Sequence, residues 1–296
     1  MILCASSLRP PGPSGPAALI QLAADTGCEG IMLDGGCLLR QVPLLGIAAL
    51  QSKLTMPALL APVPEERLSL HRRLPSLAGE RDERAAAVDL CVRAMQVSRE
   101  AGTRTVVLDF GRLPLGVEEA ESDLRRHFAR RELDEGEPGA TLLAALLAER
   151  RSRAAEWLDR SRLALEALLR FAGPMDVQLA LLPAATPWQG PSPRETVELL
   201  ATFSGAFMGS VFSPARLAVL TALGLGVSAE RRAALRKSAL VVEATDAVGL
   251  DQPLPLGLGD VPAGELGGFG AEIPVVLGGP PDTSAAEVRA AKKVLG

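Results

Sequence analysis

The residues able to do chemistry in this chain are mostly acids. Asp34, Asp109, Glu243 and Asp246 close or directly follow short apolar runs. Ser213, Arg216, Trp188, Gln189, Asp251 and Asp260 lie at the ends of such runs or in the segments after them. Carboxylates brought together repel one another, so a cluster of them attracts a cation or holds one member protonated for acid/base work. Asp34, Asp109 and Glu243 are the candidates for that role. The alternative for Glu243 is a carboxylate solvated at a rim or paired with Arg216 or Arg112. Histidine is scarce. His71 sits in the charged run LSLHRRL and His127 in a polar helical stretch, and both read as surface histidines. Neither Cys4 nor Ser213 therefore has a neighbouring base to activate it as a nucleophile. The segment GDVPAGELGGFG (259–270) is Gly-rich and could approach a phosphate through backbone amides, but it lacks the Lys and Ser/Thr of a P-loop. A plain loop is the alternative.

These residues need elements to position them. Apolar runs of strand length occur at 2–6, 29–34, 56–62, 103–111, 176–183, 207–213, 239–245 and 271–279. Strands buried on both faces read as continuous apolar runs rather than alternating ones. Segments with helical spacing separate them, including 16–27, 83–102, 157–173, 193–203, 214–224, 228–238 and 284–295. The segment 38–54 is also helical in pattern, but Pro43 and Gly46 interrupt it. Eight such units predict a (β/α)8 barrel, in which function sits at the C-terminal ends of the strands and in the loops after them. A doubly wound open sheet is the alternative, but no GxGxxG follows the first strand. One domain is expected over 1–296, with a helical insertion at 112–150 after the fourth strand. The arginine-rich stretches 125–131 and 150–153 read as solvated helix faces.

Composition narrows the partners. The chain has 296 residues, 48% hydrophobic, 3% aromatic and no Tyr, so its core is built from Ala, Leu and Val. A net charge of −4 lacks the basic excess expected of a nucleic-acid partner or a membrane-surface role. No run approaches the ~20 apolar residues of a membrane span. The start, MILCASSLRPP, has no basic region before its short apolar run. Cys4, Cys28, Cys37 and Cys91 lack zinc-type spacing and read as buried thiols of a reducing compartment. A cytoplasmic protein is expected.

The order of motifs resembles that of the xylose isomerase-like barrels, the sugar phosphate isomerase/epimerase superfamily. LIQLAADTGCEGIMLDGG (19–36) is similar to that family's first helix and second strand. CVRAMQVSREAGTRTVVLDFG (91–111) is similar to its third helix and fourth strand. QLALLP (178–183), SALVVEATDAVG (238–249) and LPLGLGDVP (254–262) follow in the family's order. The resemblance covers the chain apart from the insertion. It implies a divalent ion, Mn²⁺, Co²⁺ or Zn²⁺, held by Glu, Asp, His and Glu at the ends of the fifth to eighth strands, with the two glutamates also moving protons. Here those positions are Leu182, Ser213 (Phe212 if the alignment slips by one), Glu243 and Gly278, and the histidine that ends the fourth strand is Asp109.

Leu and Gly bring no side-chain donor, so the expectation is a barrel with no metal and no cofactor. The function expected is that of a non-catalytic barrel binding a small sugar-like ligand or a protein partner, a second copy included. The alternatives are an active sugar or sugar phosphate isomerase using Asp34, Asp109 and Glu243, and a subunit of a larger assembly joined through the insertion. Trp188, Gln189, Arg216, Asp246, Gly257 and Gly259 are the candidate ligand contacts. A structural role remains the alternative for Asp246, and a loop anchor for Trp188.

Overall fold

The computed structural model describes residues 2–4, 15–33, 37–65, 74–112, 118–280 and 283–295. Its barrel strands are β1 (Ile2–Cys4), β2 (Gly30–Met32), β3 (Ala58–Ala61), β4 (Thr105–Leu108), β5 (Gln178–Leu181), β6 (Met208–Phe212), β7 (Ala239–Ala244) and β10 (Val275–Leu277). They are hydrogen-bonded in the order β2-β1-β10-β7-β6-β5-β4-β3, and every pairing is parallel. The ends of that order also meet. Ile31 N–H donates to Thr55 O at 2.9 Å and Leu60 N–H to Leu33 O at 2.8 Å, which joins β2 to β3 and closes the barrel.

Alternation along the strands divides the apolar residues between two cores. Ile2, Met32, Ala58, Val107, Ala180, Leu182, Val211, Val241 and Val276 fill the barrel interior. A larger core, including Ile31, Leu59, Val106, Leu108, Leu179, Leu181, Phe212 and Val242, lies between the strands and the helices.

The helices are α1 (Gly15–Asp25), α2 (Val42–Gln51), α3 (Arg81–Glu100), α4 (Glu118–Ala129), α5 (Pro138–Ala172), α6 (Pro193–Thr202), α7 (Pro214–Ala222), α8 (Ala229–Lys237) and α9 (Ala285–Val294). Their starts are written in the sequence. Ser192 and Ser284 each accept a hydrogen bond from the N–H three residues on, with Glu195 and Glu287 completing capping boxes. Pro43 does not break the second helix. It sits in the first turn of α2, where its missing N–H costs nothing. Gly46 lies inside α2 because a Cβ there would come within 2.6 Å of Ala101 Cβ.

Two features differ from expectation. The helix expected at 157–173 begins at Pro138, so α5 is one helix of 35 residues. The segment after Gly139 is rich in Ala, Leu, Arg and Glu, and no breaker divides the insertion from the barrel helix. Its C-terminal half packs on the barrel through Trp157, Leu158, Ala164, Leu165 and Leu168. Second, beyond the run 239–245 the chain forms an antiparallel hairpin that the eight-unit pattern did not include, β8 (Asp246–Val248) with β9 (Asp251–Leu254). Among the described residues no helix is long and apolar enough to cross a membrane.

Candidate functional site at the barrel mouth

Four positions stand at or near the C-terminal ends of four neighbouring strands, β5, β6, β7 and β10. Leu182, Ser213 and Gly278 each follow the last residue of β5, β6 and β10, and Glu243 pairs in register with Val276 near the end of β7. Each lies two residues beyond an interior residue, namely Ala180, Val211, Val276 and Val241. The pleat therefore turns all four toward the barrel axis at its C-terminal mouth. Asp109 stands in the same relation to Val107 at the end of β4 and is exposed.

The polar members of this ring are joined by one cation. Arg216, in the first turn of α7, donates from Nε to Glu243 Oε2 at 2.9 Å and from an NH group to Pro183 O at 3.5 Å. Its side chain is 19% exposed and that of Glu243 25%. The guanidinium thus reaches from the loop after β5 to the side chain on β7. Ser213 caps α7 by accepting from Arg216 N–H, and its hydroxyl hydrogen-bonds the Glu243 carboxylate. Burial pushes the Glu243 pKa up, but the Arg216 charge and the hydrogen bonds from Ser213 and Arg216 outweigh it. The carboxyl is held below the usual glutamate range.

Of the four positions where the resemblance puts metal ligands, only Ser213 and Glu243 carry a side-chain oxygen, and both are joined to Arg216. Among the described residues no group of three or more His, Cys, Asp or Glu side chains converges on a point.

The other candidates are distributed differently. Asp34 lies outside the described residues, as does His71. Asp109 Oδ1 accepts from Gly111 N–H at 2.8 Å, which shapes the turn after β4. Asp246 is 1% exposed and its carboxylate accepts from three backbone N–H groups, those of Ala247, Gly257 and Val261, each at 2.9 Å. It organises the hairpin and the loop 255–261. Gly257 has φ +91°, open to glycine, and a Cβ on Gly259 would lie 2.4 Å from Asp246 Oδ1. Both glycines are shaped around that carboxylate. Trp188 is 2% exposed and belongs to the core between strands and helices, while Gln189 Oε1 accepts from Ala185 N–H at 3.2 Å. Asp251 pairs with Arg125 at 3.2 Å. The Gly-rich segment is pinned from α8: Arg232 pairs with Glu265, and Arg236 donates to Glu265 O and Gly267 O and lies 4.1 Å from the centroid of the Phe269 ring. His127 Nδ1 is 2.6 Å from Glu132 Oε2.

One arginine read as a solvated helix face is not. Arg150 on α5 is 12% exposed and donates two hydrogen bonds, at 2.9 and 2.7 Å, to Glu195 in the first turn of α6. Helical spacing alone could not find it, because its partner lies 45 residues away.

Solved structures with this architecture include 3-keto-D-glucoside 4-epimerase YcjR from E. coli, at 11% identity and TM-score 0.66, covering 100% of this chain and 99% of that one. A xylose isomerase domain protein from Planctomyces limnophilus matches at 13% identity and TM-score 0.64, covering 100% and 95%. D-psicose 3-epimerase from Clostridium cellulolyticum matches at 9% identity and TM-score 0.67, covering 99% and 97%. No protein-family model and no curated protein matches the chain. The chain has the xylose isomerase-like (β/α)8 fold, the fold of these sugar epimerases and isomerases.

Proposed function

We propose that this protein is a degenerate sugar isomerase/epimerase-type barrel that binds a small polar ligand at its mouth without a metal and without turnover. The observation that carries the reading is the 2.9 Å contact between Arg216 and Glu243 at the ring of strand ends. A guanidinium there repels a divalent cation, and Leu182 and Gly278 offer it no donor. The same pairing argues against acid/base catalysis, since a glutamate held below its ordinary pKa is a weak base near neutral pH. What remains is a fixed donor beside a fixed acceptor, with the Asp109 carboxylate on the same ring. That arrangement suits the hydroxyl and carbonyl groups of a neutral, sugar-like molecule. A protein partner or second copy at the mouth is the other occupant this reading allows. The acidic net charge fits neither nucleic acid nor an anionic membrane surface, and a cytoplasmic location fits the three buried free cysteines.

The test has two parts. The protein is soaked in Mn²⁺, Co²⁺ or Zn²⁺, desalted and analysed for metal, with far less than one ion per chain expected. Ketohexoses are then titrated calorimetrically and followed by NMR for interconversion. Binding without conversion, weakened in Arg216→Met, is expected. Stoichiometric metal, or turnover abolished by Glu243→Gln in a folded protein, would overturn the reading in favour of an active isomerase using rewired carboxylates.

A further inference from the structure

We draw no further inference here: the strongest candidate, the exposed apolar surface patch that Leu44, Ile47 and Leu50 form on α2, carries none because nothing in the structure shows what covers it.

Discussion

Arg216 and Glu243 stand 27 positions apart in sequence and 2.9 Å apart in space, the guanidinium Nε donating to the carboxylate at the barrel mouth. The Arg216 charge is what holds the Glu243 carboxylate ionised there. Arg216→Met should leave a partly buried carboxylate without its countercharge and cost about 1–3 kcal/mol in urea unfolding. Adding Glu243→Gln to Arg216→Met should return part of that loss. A double-mutant cycle with no coupling between the two would show that the pair is solvated and of no structural weight.

Stability should depend on pH through Glu243 and Glu195, whose pKa values are both held below the ordinary range. The unfolded chain binds protons at these sites first as pH falls, so stability rises with pH across the window between folded and unfolded pKa values. The contribution should be complete above about pH 5 and decline below about pH 4.3, through the folded pKa values. Glu195→Gln should flatten the acid limb of a plot of Tm against pH. An unchanged slope would exclude Glu195 from the effect.

Asp246 should behave as a structural residue. Asp246→Asn turns an amide donor toward one of the three N–H groups that the carboxylate now accepts, and should cost about 1–3 kcal/mol. Gly259→Ala should destabilise by a similar amount, because its Cβ would lie 2.4 Å from Asp246 Oδ1 and 2.5 Å from Ala247 O. If Asp246→Asn weakened ligand binding at unchanged Tm, Asp246 would be a ligand contact instead.

The long helix α5 docks on the barrel through Trp157, whose ring centroid is 6.1 Å from that of Phe110. A Cβ on Gly190 would fall 1.8 Å from the edge of the Trp157 ring. Gly190→Ala should therefore displace α5, lower stability by about 1–3 kcal/mol and shift the tryptophan emission. Unchanged emission and Tm would mean that the loop 183–192 gives way instead.

Much of this was written in the sequence. Apolar runs of strand length, helical spacing and Ser caps specify the β/α alternation, because strands buried on both faces and helices buried on one leave different periodicities. That Leu182 and Gly278 bring no side-chain donor was equally legible. Local pattern did not resolve the join between insertion and barrel helix in α5, nor the β8–β9 hairpin.

Only the tertiary structure decided who partners whom. Arg216 could have been a solvated rim residue until the barrel closed and set it beside Glu243. Arg150 looked solvated until α5 lay across α6 and met Glu195. Asp246 became a tie for a loop up to 15 residues further along. The reason is physical. Periodicity reports which face of an element is apolar, whereas the charge and hydrogen bonding of a side chain depend on residues from other elements, and chain closure brings those together.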